Sequence, residues 1–369
     1  SAQYSRSAPP SRRGGRLSRP LTRWLVVAAA ALIAATACGS ASAGAQQETG
    51  GLIAIGAGLR GPSGLKASLY ATGLPQAAAF ALDAQRRLWV STAAYQDEGK
   101  DGVYRVDGPG SAPVEIIAGL PTPLGLAWLG DTLLVSSARG IDAYTGLSGE
   151  HFSEHRAILS WSTPVGENNN LVLSADGRLL LGVSAPCDHC VPPSRWSAAI
   201  ISLRPDGSDL KIFASGIRAP VGLAYYPGTA DLFVTMDQRD DLGGKTPGDW
   251  LSLVRENQDW RSPGCYGQGG SSCVGAPTPV ATLDKHAAAG GVAIVTGQLG
   301  RAIGTSALVS EWALGKVQRV ALTKAGDAYS GQVSPFLDGL QSPMPLLATP
   351  DGALLAGDWK TGKVYRVSS

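Results

Sequence analysis

The stretch Asn170-Leu171-Val172-Leu173-Ser174-Ala175-Asp176-Gly177-Arg178-Leu179-Leu180-Leu181 holds two apolar runs of strand length around a polar turn that ends in glycine. Asp-Gly between β-rich runs is a strong hairpin signal, because the two positions tolerate the left-handed backbone that a tight reversal needs. The same unit returns near the carboxyl end, where Thr349-Pro350-Asp351-Gly352 precedes Ala353-Leu354-Leu355-Ala356.

Working outward, the hairpin is one part of a larger repeat. Four stretches share an alternating apolar strand that ends in a glycine corner: residues 69–75, 116–121, 212–218 and 336–340. Each leads into a short apolar strand, a turn and a second apolar strand. A third strand closes most units, as at 102–106, 199–203, 316–320 and 363–367. Alternation with period two turns one face of each strand inward. Anchored at the first strand, the units begin at Ala79, Gly125, Asn170, Gly222, Gly291 and Pro345, with spacings of 46, 45, 52, 69 and 54 residues. Blades of four short strands recur at about 40–50 residues in propellers. The fold expected is therefore all-β, a six-bladed β-propeller over residues 53–369, with an insertion at about 237–280 in the fourth repeat. A β-sandwich is the competing fold. The last unit ends after three strands, and Lys66–Thr72 is an outer-type strand with no blade before it. The two ends are expected to pair and close the ring, which removes exposed sheet edges.

The amino terminus speaks to compartment. Six arginines between Arg6 and Arg23 precede an uncharged apolar run of fourteen residues, Trp24 to Ala37. That run is too short to span a bilayer comfortably, and with the small residues that follow it reads as a signal peptide, residues 1–37. Ala35-Thr36-Ala37-Cys38-Gly39 is similar to a bacterial lipobox, so Cys38 is the expected lipidation site and 38–52 a flexible tether; an ordinary secretory cut is the alternative. Ser11-Arg12-Arg13 looks like a twin-arginine start, but Gly15 and Arg16 stand where that signal wants apolar residues. The expectation is an exported lipoprotein held on the outer side of the bacterial cytoplasmic membrane.

Without Cys38 the cysteines are four, Cys187, Cys190, Cys265 and Cys273, and two local disulfides are the simple solution in an oxidising compartment. Cys187-Asp188-His189-Cys190 also has the spacing of half a zinc site or a redox dithiol. The former lacks matching ligands elsewhere and the latter lacks a βαβ context. The formal net charge is +2, much of the positive excess lies in the leader, and no basic stripe with interleaved aromatics appears, so no nucleic-acid partner is expected.

Several motifs, in order, carry a family resemblance. Asn169 to Leu179, the corner Gly216-Ile217-Arg218-Ala219-Pro220-Val221-Gly222-Leu223-Ala224, Asp237-Gln238-Arg239-Asp240-Asp241-Leu242-Gly243, Asp249 to Val254, Cys265-Tyr266-Gly267, His286 and the closing Lys363-Val364-Tyr365-Arg366-Val367 resemble the quinoprotein glucose/sorbosone dehydrogenases. The resemblance implies a six-bladed enzyme that holds pyrroloquinoline quinone (PQQ) and calcium at the ring axis and moves hydride from a sugar to the quinone. Such chemistry needs a general base, cations for the quinone oxygens and oxygen ligands for the metal.

By that resemblance Arg218, Gln238 and His286 are cofactor-binding candidates, and the backbone carbonyls of Gln238 and Arg239 are the calcium ligands. Other positions depart from the pattern. Where the family's base is a histidine, this chain has Gly166 and Glu167, so Glu167 is the catalytic candidate; a carboxylate in a dry pocket has a raised pKa, whereas one on a solvated loop does not. Ser184 and Ala185 replace the expected acid, Ala219 the corner amide, Trp312-Ala313-Leu314 the fifth-blade lysine and Ser342-Pro343-Met344 the last arginines. Two function classes follow: a PQQ-dependent aldose or sorbosone dehydrogenase with a rearranged site, or an inactive propeller that binds carbohydrate or protein. Metal-dependent hydrolysis at the axis, through Glu167, Asn170 and Asp237, is a third. The small-molecule partner expected is a sugar; membrane contact is expected only through the lipid anchor, and the oligomeric state is open.

Overall fold

The structure, a computed structural model, describes residues 51–266 and 271–369. The leader, Cys38 and most of the tether lie outside the described residues. Among the described residues no helix is long and apolar enough to cross a membrane.

Six four-stranded antiparallel sheets follow one another along the chain. Blade 1 covers residues 77–120, blade 2 125–160, blade 3 168–215, blade 4 220–282 and blade 5 289–337. Blade 6 takes Pro343–Ala348, Leu354–Asp358 and Lys363–Ser368 from the carboxyl end, and its outer strand is Lys66–Ala71. The expected closure is present: Val364 faces Ala71, Arg366 faces Ser68 and Ser368 faces Lys66. A hairpin of Ile53–Gly56 and Leu59–Gly61, which the repeat does not announce, precedes that strand. It packs Ile55 and Leu59 against Phe336 and Leu337 at the edge of blade 5.

The apolar core sits between blades. Each of six clusters fills the cleft between two neighbours: Trp89 and Val103 of blade 1 meet Leu126 and Leu133 of blade 2, and Leu180 and Ile200 of blade 3 meet Leu232 and Trp250 of blade 4. The ring closes in the same way, with Phe80 and Val90 of blade 1 against Leu355 and Val364 of blade 6. Burial of these side chains stabilises adjacency, so no blade satisfies its faces alone.

All six sequence anchors fall on the innermost strands, and a shared device holds those strands together. At one position on the second strand of four blades stands a fully buried hydroxyl that donates to a carbonyl on the next blade's inner strand or the residue leading into it. Ser91 donates to Pro123 O (2.8 Å), Ser136 to Asn169 O (2.6 Å), Thr235 to Gly290 O (2.6 Å) and Ser310 to Met344 O (2.8 Å). Blade 3 has Gly182 at this place, and there Asn169 Nδ2 donates to Pro220 O (3.0 Å) instead. Such contacts require backbones close to one another. A Cβ on Gly222 would lie 2.3 Å from Gly290 O and 3.1 Å from Val292 N, and one on Gly291 would lie 2.3 Å from Met344 O. The remaining axial cavity, lined by Ala79, Asn170, Val221, Gly291, Met344 and Pro345 among others, has a volume of only about 30 Å³, room for one or two waters.

Gly222→Ala should therefore destabilise the ring by about 1–3 kcal/mol, the cost of forcing an overpacked core apart. Gly244→Ala, where a Cβ meets nothing within 4 Å, should leave the melting temperature unchanged. Thermal denaturation of the two variants side by side checks this.

Candidate functional site

The inner strand of each blade starts, and its second strand ends, on one face of the ring. Glu167, Arg218, Gln238, Arg239 and His286 all lie on loops of that face. The insertion in blade 4 reaches it too. After Val254 the chain runs alongside the outer strand of blade 3, with Asn257 N donating to Phe213 O, Ser215 N to Gln258 O and Trp260 N to Ser215 O, and then delivers Cys265 and Tyr266 to the face. The disulfides are Cys187–Cys190 and Cys265–Cys273, the two local pairs. Their loops touch: a ring nitrogen of His189 lies 3.2 Å from Pro263 O.

Over blades 3 and 4 the face is a network of charge, centred on Arg218. Its side chain keeps 13 % of its surface. Nε donates to Asp188 O (2.8 Å), Nη2 to Asp188 Oδ1 (2.9 Å), and Nη1 to Asp237 O (2.9 Å), Gln238 O (3.2 Å) and Asp237 Oδ2 (3.4 Å). The Asp188 carboxylate accepts in addition from the backbone N–H groups of Asp240 and Asp241. Arg218 therefore ties the Cys187–Cys190 loop to the loop 237–241. Gln238 is buried, its Nε2 donating to Tyr266 O (2.6 Å). Arg239 pairs with Asp241 through Nε and Nη2 and stacks over the Tyr266 ring, and its carbonyl accepts from Thr246 Oγ1 (3.0 Å). His286 has both nitrogens engaged, Nδ1 with Asp240 Oδ1 (2.6 Å) and Nε2 with Gly243 O (2.9 Å). These bonds favour the imidazolium and raise its pKa.

Glu167 is exposed at the entrance to blade 3, where its carbonyl accepts from Ser184 N (2.9 Å). Buried acids do exist nearby. Asp249 is 1 % exposed and accepts from Gln238 N and Ala289 N; burial, then the charge of Asp237, holds its carboxyl well above the usual range. It does the work that Asp101 does in blade 1, where Ala94 N is the donor. Glu311 in blade 5 is fully buried, takes Asp284 N, and is pushed up to about 7 by burial and by Asp284.

Over blades 5, 6 and 1 the face is aromatic. Trp312 and Trp359 meet edge to face with ring centres 5.4 Å apart, and Tyr95 lies 6.5 Å from Trp359. Trp359 Nε1 donates to Ala93 O, and Tyr95 Oη to the Met344 sulfur beside the axis. Sequence reasoning noted Trp312 only as a missing lysine and passed over Trp359, Tyr95 and Asp188. A signal was present, since Glu311-Trp312 and Asp358-Trp359 occupy equivalent positions at the ends of second strands.

No protein-family model matches the chain, and no curated protein matches its sequence. Solved structures do match. The holo form of the PQQ domain of pyranose dehydrogenase from Coprinopsis cinerea is 14 % identical, with a TM-score of 0.69 over 84 % of this chain and 97 % of that one. The PQQ-bound aldose sugar dehydrogenase from Streptomyces coelicolor is 19 % identical, with a TM-score of 0.66 over 84 % and 99 %. The calcium structure of the Trichoderma reesei family AA12 carbohydrate-active enzyme is 17 % identical, with a TM-score of 0.67 over 84 % and 96 %. The chain thus has the six-bladed fold of the PQQ-dependent sugar dehydrogenases.

The residues present do not fit PQQ and calcium in the manner the resemblance implies. Where quinone carboxylates would need cations, Trp312 and Met344 stand within an apolar cluster with Trp359, Ala78, Ala93 and Leu124. Gln238 O and Arg239 O, the expected calcium ligands, already accept from Arg218 and Thr246. Among the described residues no cluster of three or more His, Cys, Asp or Glu could hold a metal ion.

The raised Glu311 has a consequence for stability. A folded-state pKa above the unfolded one means that the native state holds the proton longer, so stability falls as pH rises from about 4.5 to about 7. His286 acts in the same sense at higher pH. The melting temperature should therefore be lower at pH 8 than at pH 5.5. Glu311→Gln should remove part of that difference, on the order of 1 kcal/mol or roughly 2 °C, as read by thermal scans across pH.

Proposed function

We propose that this propeller is an exported, sugar-directed member of the sugar dehydrogenase architecture that binds carbohydrate on its loop face without the quinone chemistry. The observation that carries the reading is the engagement of Arg218. The one cation retained from the resemblance has Nε, Nη1 and Nη2 all bonded within the protein. The other cationic positions are taken by Trp312 and Met344. A half-exposed aromatic group with polar neighbours suits a sugar, whose C–H faces stack on rings while its hydroxyls bond at the rim. Tyr95, 37 % exposed, extends the platform beside Trp359. On this reading Glu167 is a rim residue and the leader with Cys38 places the domain outside the cytoplasmic membrane on a lipid anchor.

A second reading, a PQQ-dependent aldose or sorbosone dehydrogenase, is favoured by the ordered motifs and by the quinone-bound and calcium-containing proteins that share the fold. One experiment separates the two. The purified protein is titrated with PQQ and calcium, reading tryptophan fluorescence and then aldose-dependent dye reduction, and separately with aldoses alone. Saturable quenching by sugar without quinone binding or turnover is the expected result, and Trp312→Ala should weaken sugar binding roughly tenfold, the loss of one stacking contact. Quinone binding with sugar-dependent dye reduction would establish the dehydrogenase instead.

A further inference from the structure

We propose that the Arg218 guanidinium occupies a built-in cation site in the loop 237–241, doing permanently and covalently what a bound calcium ion would do there. Five oxygen atoms converge on this one group: the carbonyls of Asp188, Asp237 and Gln238, and a carboxylate oxygen each from Asp188 and Asp237. Three carbonyls and two carboxylates are the ligand chemistry of a hard divalent cation, which takes six to eight oxygens with water completing the set. A planar guanidinium with five N–H donors meets the same oxygens by hydrogen bonding.

The surroundings make the site a clasp. Asp188 is carried on the Cys187–Cys190 disulfide loop, and its carboxylate also caps Asp240 N and Asp241 N. Arg218 itself is fixed at the corner into blade 4, where its carbonyl accepts from Ala185 N (2.7 Å) and Asp237 N bonds the next carbonyl, Ala219 O (3.0 Å). The cation thus joins three loops from two blades, and removing it would leave two carboxylates and three carbonyls facing one another. Such a set is unstable without positive charge.

The inference stands whether the face binds a sugar or oxidises one, and its test reads neither. Melting temperatures of the purified protein and of Arg218→Ala are measured in excess EDTA, in millimolar calcium, and in sodium chloride of matched ionic strength, with calcium binding followed by calorimetry. Wild type is expected to melt at the same temperature in all three and to take up no calcium. Arg218→Ala is expected to melt several degrees lower in EDTA and to regain much of the loss in calcium but not in sodium, with calcium binding at sub-millimolar to millimolar strength. Calcium stabilisation of wild type that Asp237→Asn abolishes overturns the proposal, as does an Arg218→Ala protein indifferent to calcium. If Arg218→Ala folds only with calcium present throughout, the proposal stands. If it folds in neither condition, Asp188→Asn decides: with the guanidinium still in place, it should melt lower than wild type and ignore calcium, and a calcium gain in that variant overturns the site.

Discussion

The contact on which the ring depends is the one between adjacent inner strands. Six sheets that meet at an axis are wedges, and their narrow edges must approach until backbone touches backbone. The buried hydroxyls of Ser91, Ser136, Thr235 and Ser310 satisfy carbonyls that this approach would otherwise leave dry and unpaired. Gly125, Gly222 and Gly291 have no Cβ to obstruct this close approach. With the axis fixed in this way, the apolar side chains of neighbouring blades are forced into shared clefts, and Lys66–Ala71 pairs the otherwise free edge of the sixth sheet.

Those same constraints explain what could be read from the sequence. Hairpin turns such as Ser174 to Gly177, the glycine corners and the spacing of the inner strands are local, and each has a chemical signature that repeats, so blade number and closure were legible. The hairpin at 53–61 was not, because much of what holds it, Phe336, Leu337 and the backbone of Asp338, lies far along the chain. The path of the insertion was equally hidden. Nothing in residues 255–266 announces that they run beside Lys211–Ser215, a strand some forty residues earlier.

Of the site, the sequence singled out candidate positions but few of the partners that engage them. Arg218, Gln238, Arg239 and His286 lie on loops of one face; Arg239 pairs within its own motif with Asp241, whereas Arg218 and His286 are engaged by residues far along the chain. Asp188 lies thirty residues from Arg218, and Asp240 forty-six from His286. The aromatic half of the face was missed for a different reason. Trp312 was judged against the lysine it replaces, and an absence carries no information about what the new side chain does with Trp359 and Tyr95.

The two halves of the face differ in what they can exchange with solvent, and that difference bears on chemistry. A loop whose carbonyls point at one spot needs positive charge there, and either an ion or a guanidinium meets the need. The ion leaves coordination positions open to water or substrate, which is what allows a metal to polarise a bound group. Each of the three Arg218 nitrogens already bonds a protein oxygen. A guanidinium so placed holds the loop 237–241 firmly against the Cys187–Cys190 loop and at the same time removes the electrophile from the face. On the proposals made above, the scaffold gains independence from dissolved metal, and the surface left for a ligand is the aromatic one, where attraction depends on shape and stacking and no charge must be created.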